Sequence, residues 1–228
     1  MRALLLAGGL GSRLRPLTET IPKCLVPIKN EVLLGIWLKR LTQANIGPFI
    51  INTHYLANQV KEFIEKSPYH GKVKLINEIE LLGTAGTLIK NLEFFNDEEG
   101  MLIHADNYCL ADFKAFYLAH QMRPSECLMT MMTFRTSDPS SCGIVELDAR
   151  GVVIGFHEKI KNPPSNLANG AVYILSAELL KIIAKNFQGA KDFSTEIVNN
   201  LIGYIYSYET DDFFIDVGTP EAYKRANK

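Results

Sequence analysis

Short apolar runs rich in β-formers alternate with stretches of helical period, and this alternation limits the fold more than any other feature of the chain. Ala3 to Ala7 reads as a buried strand that ends abruptly in glycine. Leu33, Leu34, Trp37, Leu38 and Leu41 recur at helical spacing, with Trp37 a core residue; Phe49 to Asn52 reads as a strand, and Leu56, Val60, Phe63 and Ile64 as one helix face. The series continues with strands near Val73 to Ile76 and Met101 to Ala105, and with helices beginning about Thr84 and running from about Phe113 to His120. Strands separated by helical segments pair in parallel, so the expected fold class is α/β: a Rossmann-like, mixed, mostly parallel central sheet flanked by helices.

After Pro124 the pattern changes. Leu128 to Phe134, Ile144 to Leu147, Val152 to Phe156 and Ala171 to Leu175 follow one another with few helices between, which predicts antiparallel or mixed pairing there and a second side to a ligand cleft. Lys161 to Asn169, with two prolines and short polar residues, reads as a surface loop. Strands around Ile205 to Tyr208 and Phe213 to Val217 and a helix near Thr219, with Pro220 in its first turn, close the chain. No internal repeat is present. The expectation is a single domain over 1–228, divided in role at about residue 123 into a nucleotide-binding half (1–123) and a sugar-phosphate-binding half (124–228), with no repeat-built carboxyl-terminal domain.

A chain of 228 residues, 47% hydrophobic, buries a sizeable core without a disulfide or structural metal. Its 24 basic and 25 acidic side chains are interspersed, so the electrostatic footprint of a nucleic-acid or membrane-surface binder is missing and a small-molecule substrate fits better. No apolar stretch approaches the roughly 20 residues of a membrane span, and Met1 leads directly into a strand-like run, so the expected location is cytoplasmic. Cys24, Cys109, Cys127 and Cys142 form no CxxC pair and receive no chemistry.

Leu6 and Ala7 lead into Gly8-Gly9-Leu10-Gly11-Ser12-Arg13-Leu14-Arg15-Pro16, a loop whose glycines let backbone N–H groups approach phosphate oxygens. It is neither a dinucleotide fingerprint, because Leu14 stands where the third glycine belongs, nor a Walker loop, because no GK[ST] follows. Arg13 inside the loop and Lys23, held between Pro22 and Pro27, add two cations at the carboxyl end of the first strand. A glycine cradle with two cations suits a triphosphate.

GGLGSRLRPLT followed by PKCLVP resembles the signature GGxGTRLxPLT…PKxLxP of the sugar-1-phosphate nucleotidylyltransferases, and spaced matches continue in order over nearly the whole chain. The resemblance implies the nucleotide-diphospho-sugar transferase fold and a reaction of a nucleoside triphosphate with a sugar 1-phosphate. It assigns nucleotide contacts to Leu6, Ala7, Gly8, Gly9, Gly11, Ser12, Arg13, Glu78, Gly83, Thr84 and Asp106, the last three through LGTAG and the strand-end aspartate. It makes Arg13 and Lys23 catalytic and gives Mg2+ to Asp106 and, through FIDVGTP, to Asp216. Cys142-Gly143-Ile144-Val145, Phe156-His157-Glu158-Lys159 and Asn169-Gly170-Ala171-Val172-Tyr173 are similar to the family's YGVV, FxEKP and NAGxY segments, which places Gly143, Glu158, Lys159 and Asn169 at the sugar phosphate. Ser12 for threonine, Ile160 for proline, Cys142 for an aromatic residue and Asn-Gly-Ala for Asn-Ala-Gly are the departures; none removes a charge or a metal ligand.

The run from Glu78 to Gly86 resembles the EExxLGTAG of the GDP-sugar-forming, mannose-1-phosphate guanylyltransferase branch, where the dTDP-sugar branch has glutamine at the position of Glu78. GTP with a mannose- or heptose-like 1-phosphate is therefore expected, with CTP, UTP or dTTP as alternatives and an exposed, non-reading Glu78 as the plainer account. A sugar phosphate is already ionised, so no general base is required and the scattered histidines are read as structural. The rival classes are an inactive regulatory paralogue and a metal-dependent glycosyltransferase using Asp106-Asn107 as a DxD-type site. A homo-oligomer is compatible with the resemblance.

Overall fold

The computed structural model describes all 228 residues. The chain opens with β1 (Arg2–Leu6), the hairpin β2 (Pro27–Ile28) and β3 (Glu31–Val32), α1 (Leu33–Gln43), β4 (Phe49–Thr53), α2 (Ala57–Lys66) and β5 (Val73–Asn77). Then come α3 (Gly83–Lys90), β6 (Gly100–His104), β7 (Asn107–Cys109), α4 (Phe113–Gln121), β8 (Met129–Arg135), β9 (Gly143–Leu147) and β10 (Val153–Glu158). β11 (Leu167–Leu175), α5 (Ala177–Asn186), β12 (Ile205–Glu209), β13 (Phe214–Asp216) and α6 (Pro220–Ala226) complete it. The architecture is mixed α/β, with a mostly parallel central sheet flanked by helices. No helix is long and apolar enough to cross a membrane.

Two compact units are present, and they are not sequential halves. One comprises Met1–Leu81, Ile103–Leu110 and Phe213–Lys228, and the other Leu82–Leu102 and Ala111–Asp212. Compactness alone does not say which residues meet which ligand.

In the first unit β1, β4 and β5 pair in parallel, with Ala3 opposite Phe49 and Phe49 opposite Val73. Ala3, Leu4 and Leu5 of β1 and Phe49, Ile50 and Ile51 of β4 are all buried. A strand covered on both faces must be apolar throughout, which is why these segments read as continuous runs instead of alternating ones. Trp37 is buried as expected, and its ring N–H donates to the carbonyl of Asn107 at 2.8 Å. β7 and β13 form a separate antiparallel pair in which Asp216 lies opposite Asn107.

The second unit is the mixed region that the sequence after Pro124 implies. β11 runs antiparallel to β8 and β9, β9 antiparallel to β10, and β12 parallel to β8. Two departures from the sequence reading stand out. The expected loop ends early, since Leu167, Ala168 and Asn169 already pair with Arg135, Phe134 and Thr133; long-range partners recruit residues whose local composition signals a loop. α5 was not anticipated, although Ser176 caps it by accepting the N–H of Leu179 and Leu179, Leu180 and Ile183 supply its buried face.

Candidate functional site

Within the first unit, the glycine loop leaves β1 at Ala7, whose N–H donates to the carboxamide oxygen of Asn52 at 2.8 Å. Gly8 packs so closely that a Cβ there would lie 3.0 Å from Asn52 Nδ2 and 3.5 Å from His54 Cβ. Gly11 has φ of 62°, and its carbonyl accepts from the Thr18 hydroxyl at 2.7 Å and from the Leu14 N–H at 2.9 Å. A side chain at Gly11 would be strained there and would crowd Thr18 and Lys23. Gly9 differs, because a Cβ there would meet nothing within 4 Å. Gly8 and Gly11 thus shape the loop, while Gly9 leaves open space beside it.

Four of the expected residues converge in this unit. Lys23 is 7% exposed at its side chain, and its Nζ lies 2.8 Å from Asp106 Oδ2 and 3.1 Å from Asp216 Oδ1. Arg13, 66% exposed, places Nη2 3.5 Å from the other oxygen of Asp216. The pairing of β7 with β13 brings Asp106, from the middle of the sequence, together with Asp216. Burial by itself would lower the pKa of Lys23, but Asp106 and Asp216 outweigh it and hold the ammonium above its ordinary value. For Asp106, loss of water raises the pKa, and Lys23 together with His104 reverses this to leave it below the usual carboxylate range. Both shifts favour the ion pair of Lys23 with Asp106 at neutral pH.

No group of three or more His, Cys, Asp or Glu side chains is arranged to enclose a metal. Asp106 and Asp216 are nevertheless a fitting donor pair for magnesium, which takes one or two carboxylates and completes its shell with water and phosphate oxygens. Both carboxylates remain 42% and 48% exposed, and the point where they converge already holds a cation, the Lys23 ammonium. Glu78 is 5% exposed, so the plainer account of an exposed glutamate fails. Its N–H donates to the Thr53 carbonyl and its own carbonyl meets His54 Nδ1, each at 2.8 Å.

Within the second unit, Gly83 has φ of 80°, and a Cβ there would lie 2.3 Å from the Lys191 carbonyl oxygen. That oxygen accepts the Ala85 N–H at 3.0 Å, and the Thr84 hydroxyl accepts the Phe193 N–H at 2.7 Å. The glycine and threonine of LGTAG therefore anchor the start of α3 on residues 191–193. Gly143 lies opposite Glu158 across β9 and β10, and a Cβ on it would sit 2.7 Å from Glu158 Oε2. Glu158 pairs with its neighbour Lys159 at 2.9 Å, and Lys159 is in the left-handed region at φ 50°. Asn169 donates to the Tyr173 hydroxyl at 2.7 Å and accepts the Ala171 N–H at 2.8 Å. Ala168 lies opposite Ile144, so one residue further along each strand Asn169 and Gly143 reach the same end of the ladder as Glu158.

Residues 2–228 match the family of nucleotidyl transferases. The chain belongs to that family. This nucleotidyl transferase is 28% identical over 231 residues to the D-glycero-alpha-D-manno-heptose 1-phosphate guanylyltransferase of Aneurinibacillus thermoaerophilus, covering 100% of this chain and 97% of that protein. It is 31% identical over 225 residues to the mannose-1-phosphate guanylyltransferase catalytic subunit beta of Drosophila melanogaster, covering 96% of this chain but only 60% of that longer protein. A crystal structure of HddC from Yersinia pseudotuberculosis complexed with GMP-PN superposes with a TM-score of 0.82 at 26% identity, covering 99% of this chain and 97% of that one.

Other reactive groups of this nucleotidyl transferase stay apart from the cluster's chemistry. Burial pushes the Cys24 thiol up to about 12, so it carries no thiolate at neutral pH. His120 is fully buried and bonded to the Thr130 hydroxyl at 2.8 Å. Asn52, His54 and Tyr173 are the polar residues whose positions sequence reasoning did not single out. An asparagine closing an otherwise apolar strand was the one available signal, since a buried amide requires partners.

Proposed function

We propose that this nucleotidyl transferase joins a nucleoside triphosphate to a sugar 1-phosphate and releases pyrophosphate. The observation that carries the reading is the Lys23 ammonium held between Asp106 and Asp216, with Arg13 beside them and the glycine loop leading into them. An ionised oxygen of the sugar phosphate attacks the α-phosphorus in line, the new P–O bond forms, and the bond to the pyrophosphate oxygen breaks. No proton has to be removed from the nucleophile, so the reaction asks for no general base and leaves Asp106 and Asp216 to hold cations. Lys23 stabilises charge at the α-phosphoryl group and Arg13 charge on the leaving pyrophosphate. Asp106 and Asp216 would hold magnesium, which would supply positive charge at the phosphate oxygens.

Leu6, Ala7, Gly8, Gly9, Gly11, Ser12, Arg13, Glu78, Gly83, Thr84 and Asp106 belong to the nucleotide side of the reaction, and Gly143, Glu158, Lys159 and Asn169 to the sugar phosphate. The base is guanine and the sugar a mannose- or heptose-like 1-phosphate, which makes the reaction a source of GDP-sugars in the cytoplasm. An ionised carboxylate only accepts hydrogen bonds, so Glu78 matches the N1–H and amino donors of guanine and mismatches a lone carbonyl edge. Its burial supports this role over a solvated one. The guanylyltransferase names of the relatives above, and the GMP-PN bound by HddC, point the same way.

The test is pyrophosphate release with all four triphosphates in competition against a panel of sugar 1-phosphates. GTP is expected to be preferred, and Glu78→Gln to weaken that preference by about tenfold. Preference for a pyrimidine triphosphate, or unchanged choice in the variant, overturns guanine reading by Glu78. Transfer from a sugar nucleotide to an acceptor, without pyrophosphate release, would make the protein a glycosyltransferase instead.

A further inference from the structure

The side chain that fixes the start of the glycine loop belongs to neither the loop nor the charged cluster. Asn52 is the fourth residue of β4, follows Phe49, Ile50 and Ile51, and is only 4% exposed. Its oxygen accepts the N–H of Ala7, the first residue beyond β1, and its nitrogen side lies against Gly8. Two residues on, on the same side of the extended chain, His54 packs against Gly8 and meets the Glu78 carbonyl, while Thr53 between them accepts the Glu78 N–H. The connection from β4 to α2 also reaches the segment that precedes Lys23: the Tyr55 hydroxyl donates to the Glu19 carbonyl at 3.2 Å, and the Gln59 amide to the Thr20 carbonyl at 2.9 Å.

A backbone N–H at a strand end has several directions open to it, and a buried carboxamide in a rigid strand leaves it one. We infer that Asn52 is a positioning residue for triphosphate binding: by holding Ala7 it sets the direction in which Gly8 and Gly9 leave β1, and so pre-orders the loop amides that face the phosphates. Asn52 touches no reacting atom. Its contribution is made before the substrate arrives, so it belongs in triphosphate affinity and not in the chemical step. The inference rests on the proposed function, because it takes the loop to be the triphosphate site.

The test compares wild type with Asn52→Leu, which keeps side-chain size and removes the acceptor. Calorimetric binding of each of the four triphosphates with Mg2+ and no sugar phosphate gives Kd; steady-state kinetics give KM for both substrates; amide exchange without nucleotide reports on Ala7 to Ser12. The expected result is a Kd and KM for the triphosphate weakened about tenfold, a KM for the sugar phosphate unchanged, and kcat at saturating triphosphate within about threefold of wild type. Exchange should quicken at Ala7 and Gly8 and revert in Asn52→Asp, whose carboxylate still accepts from Ala7. If Asn52→Leu does not fold, Asn52→Ser, too short to reach Ala7, replaces it.

An unchanged triphosphate Kd overturns the inference, as does a loss confined to kcat, which is what a merely less stable protein would show. A wild-type protein that binds triphosphate but releases no pyrophosphate overturns the enzymatic reading, and the Kd comparison still decides the role of Asn52. Failure of wild type to bind any triphosphate overturns both.

Discussion

The two units hold their functional side chains by different physics. In the first, Lys23, Asp106, Asp216 and Arg13 are held by charge, through ion pairs that stay partly open to water on the carboxylate side. In the second, Asn169, Tyr173, Gly143 and Glu158 are placed mainly by a strand ladder and by the neutral hydrogen bonds of Asn169, with one ion pair between the adjacent Glu158 and Lys159, and the backbone bends to permit it: the register of β11 against β8 shifts between Asn169 and Tyr173, and Ala171 takes φ of 52°. A cluster held by charge tolerates small displacements but fails when a charge is removed. One held by geometry should change by degrees, because each hydrogen bond is worth about 1 kcal/mol net. Under the proposed function, the first arrangement suits stabilising charge on the triphosphate and the second suits holding the sugar 1-phosphate in one orientation.

The largest break should come in the charged cluster. Lys23→Met, Asp106→Ala and Asp216→Ala are each predicted to lower turnover by about 100-fold or more, with thermal unfolding little changed in the two aspartate variants because those side chains are half exposed. For Lys23→Met the loss should fall on kcat; a change in KM alone would make the lysine a ground-state binder. Full turnover after exhaustive chelation would remove magnesium from the account.

A smaller effect is predicted for Asn169→Ala, which deletes one partner of the buried Tyr173 hydroxyl and the acceptor of the Ala171 N–H. The KM for sugar 1-phosphate should rise about tenfold while the triphosphate KM stays unchanged. A kcat loss as large as that of Lys23→Met would erase the contrast between the units.

The smallest effect concerns the transposed Asn169-Gly170-Ala171. Where the family resemblance leads one to expect glycine last, this chain has alanine, and the structure gives that alanine a left-handed backbone. Ala171→Gly should therefore stabilise the protein by about 0.5–1 kcal/mol, raising Tm by roughly 1–3 °C, with both KM values unaltered. A lower Tm would mean that the alanine methyl contributes packing that outweighs the strain.

Residues close together in the sequence were legible because their physics is local. Strand Ala3 to Ala7, the helix face from Leu33 to Leu41 and the helix begun by Pro220 follow from apolar period and capping chemistry, and each forms within a residue or two of its expected place. The glycine loop with Arg13 and Lys23 belongs here too, since glycine takes the φ of Gly11 without strain and fits the crowding at Gly8. α5 is written just as locally in Ser176 and its leucines, but the strand-rich pattern around it masks the signal.

What sequence could not decide is which distant groups meet. Nothing local says that Asp216 will lie opposite Asn107, or that Lys23 will settle between two aspartates 83 and 193 residues away. Nor does Thr84 announce that its hydroxyl is engaged by the N–H of Phe193. Asn52 is the plainest case, unremarkable at the end of a buried strand until β1 and β4 pair and bring its amide to Ala7. The backbone and short-range sterics are written residue by residue, whereas a hydrogen bond or ion pair between remote side chains exists only once strand pairing has fixed their separation and excluded the water that would otherwise satisfy them.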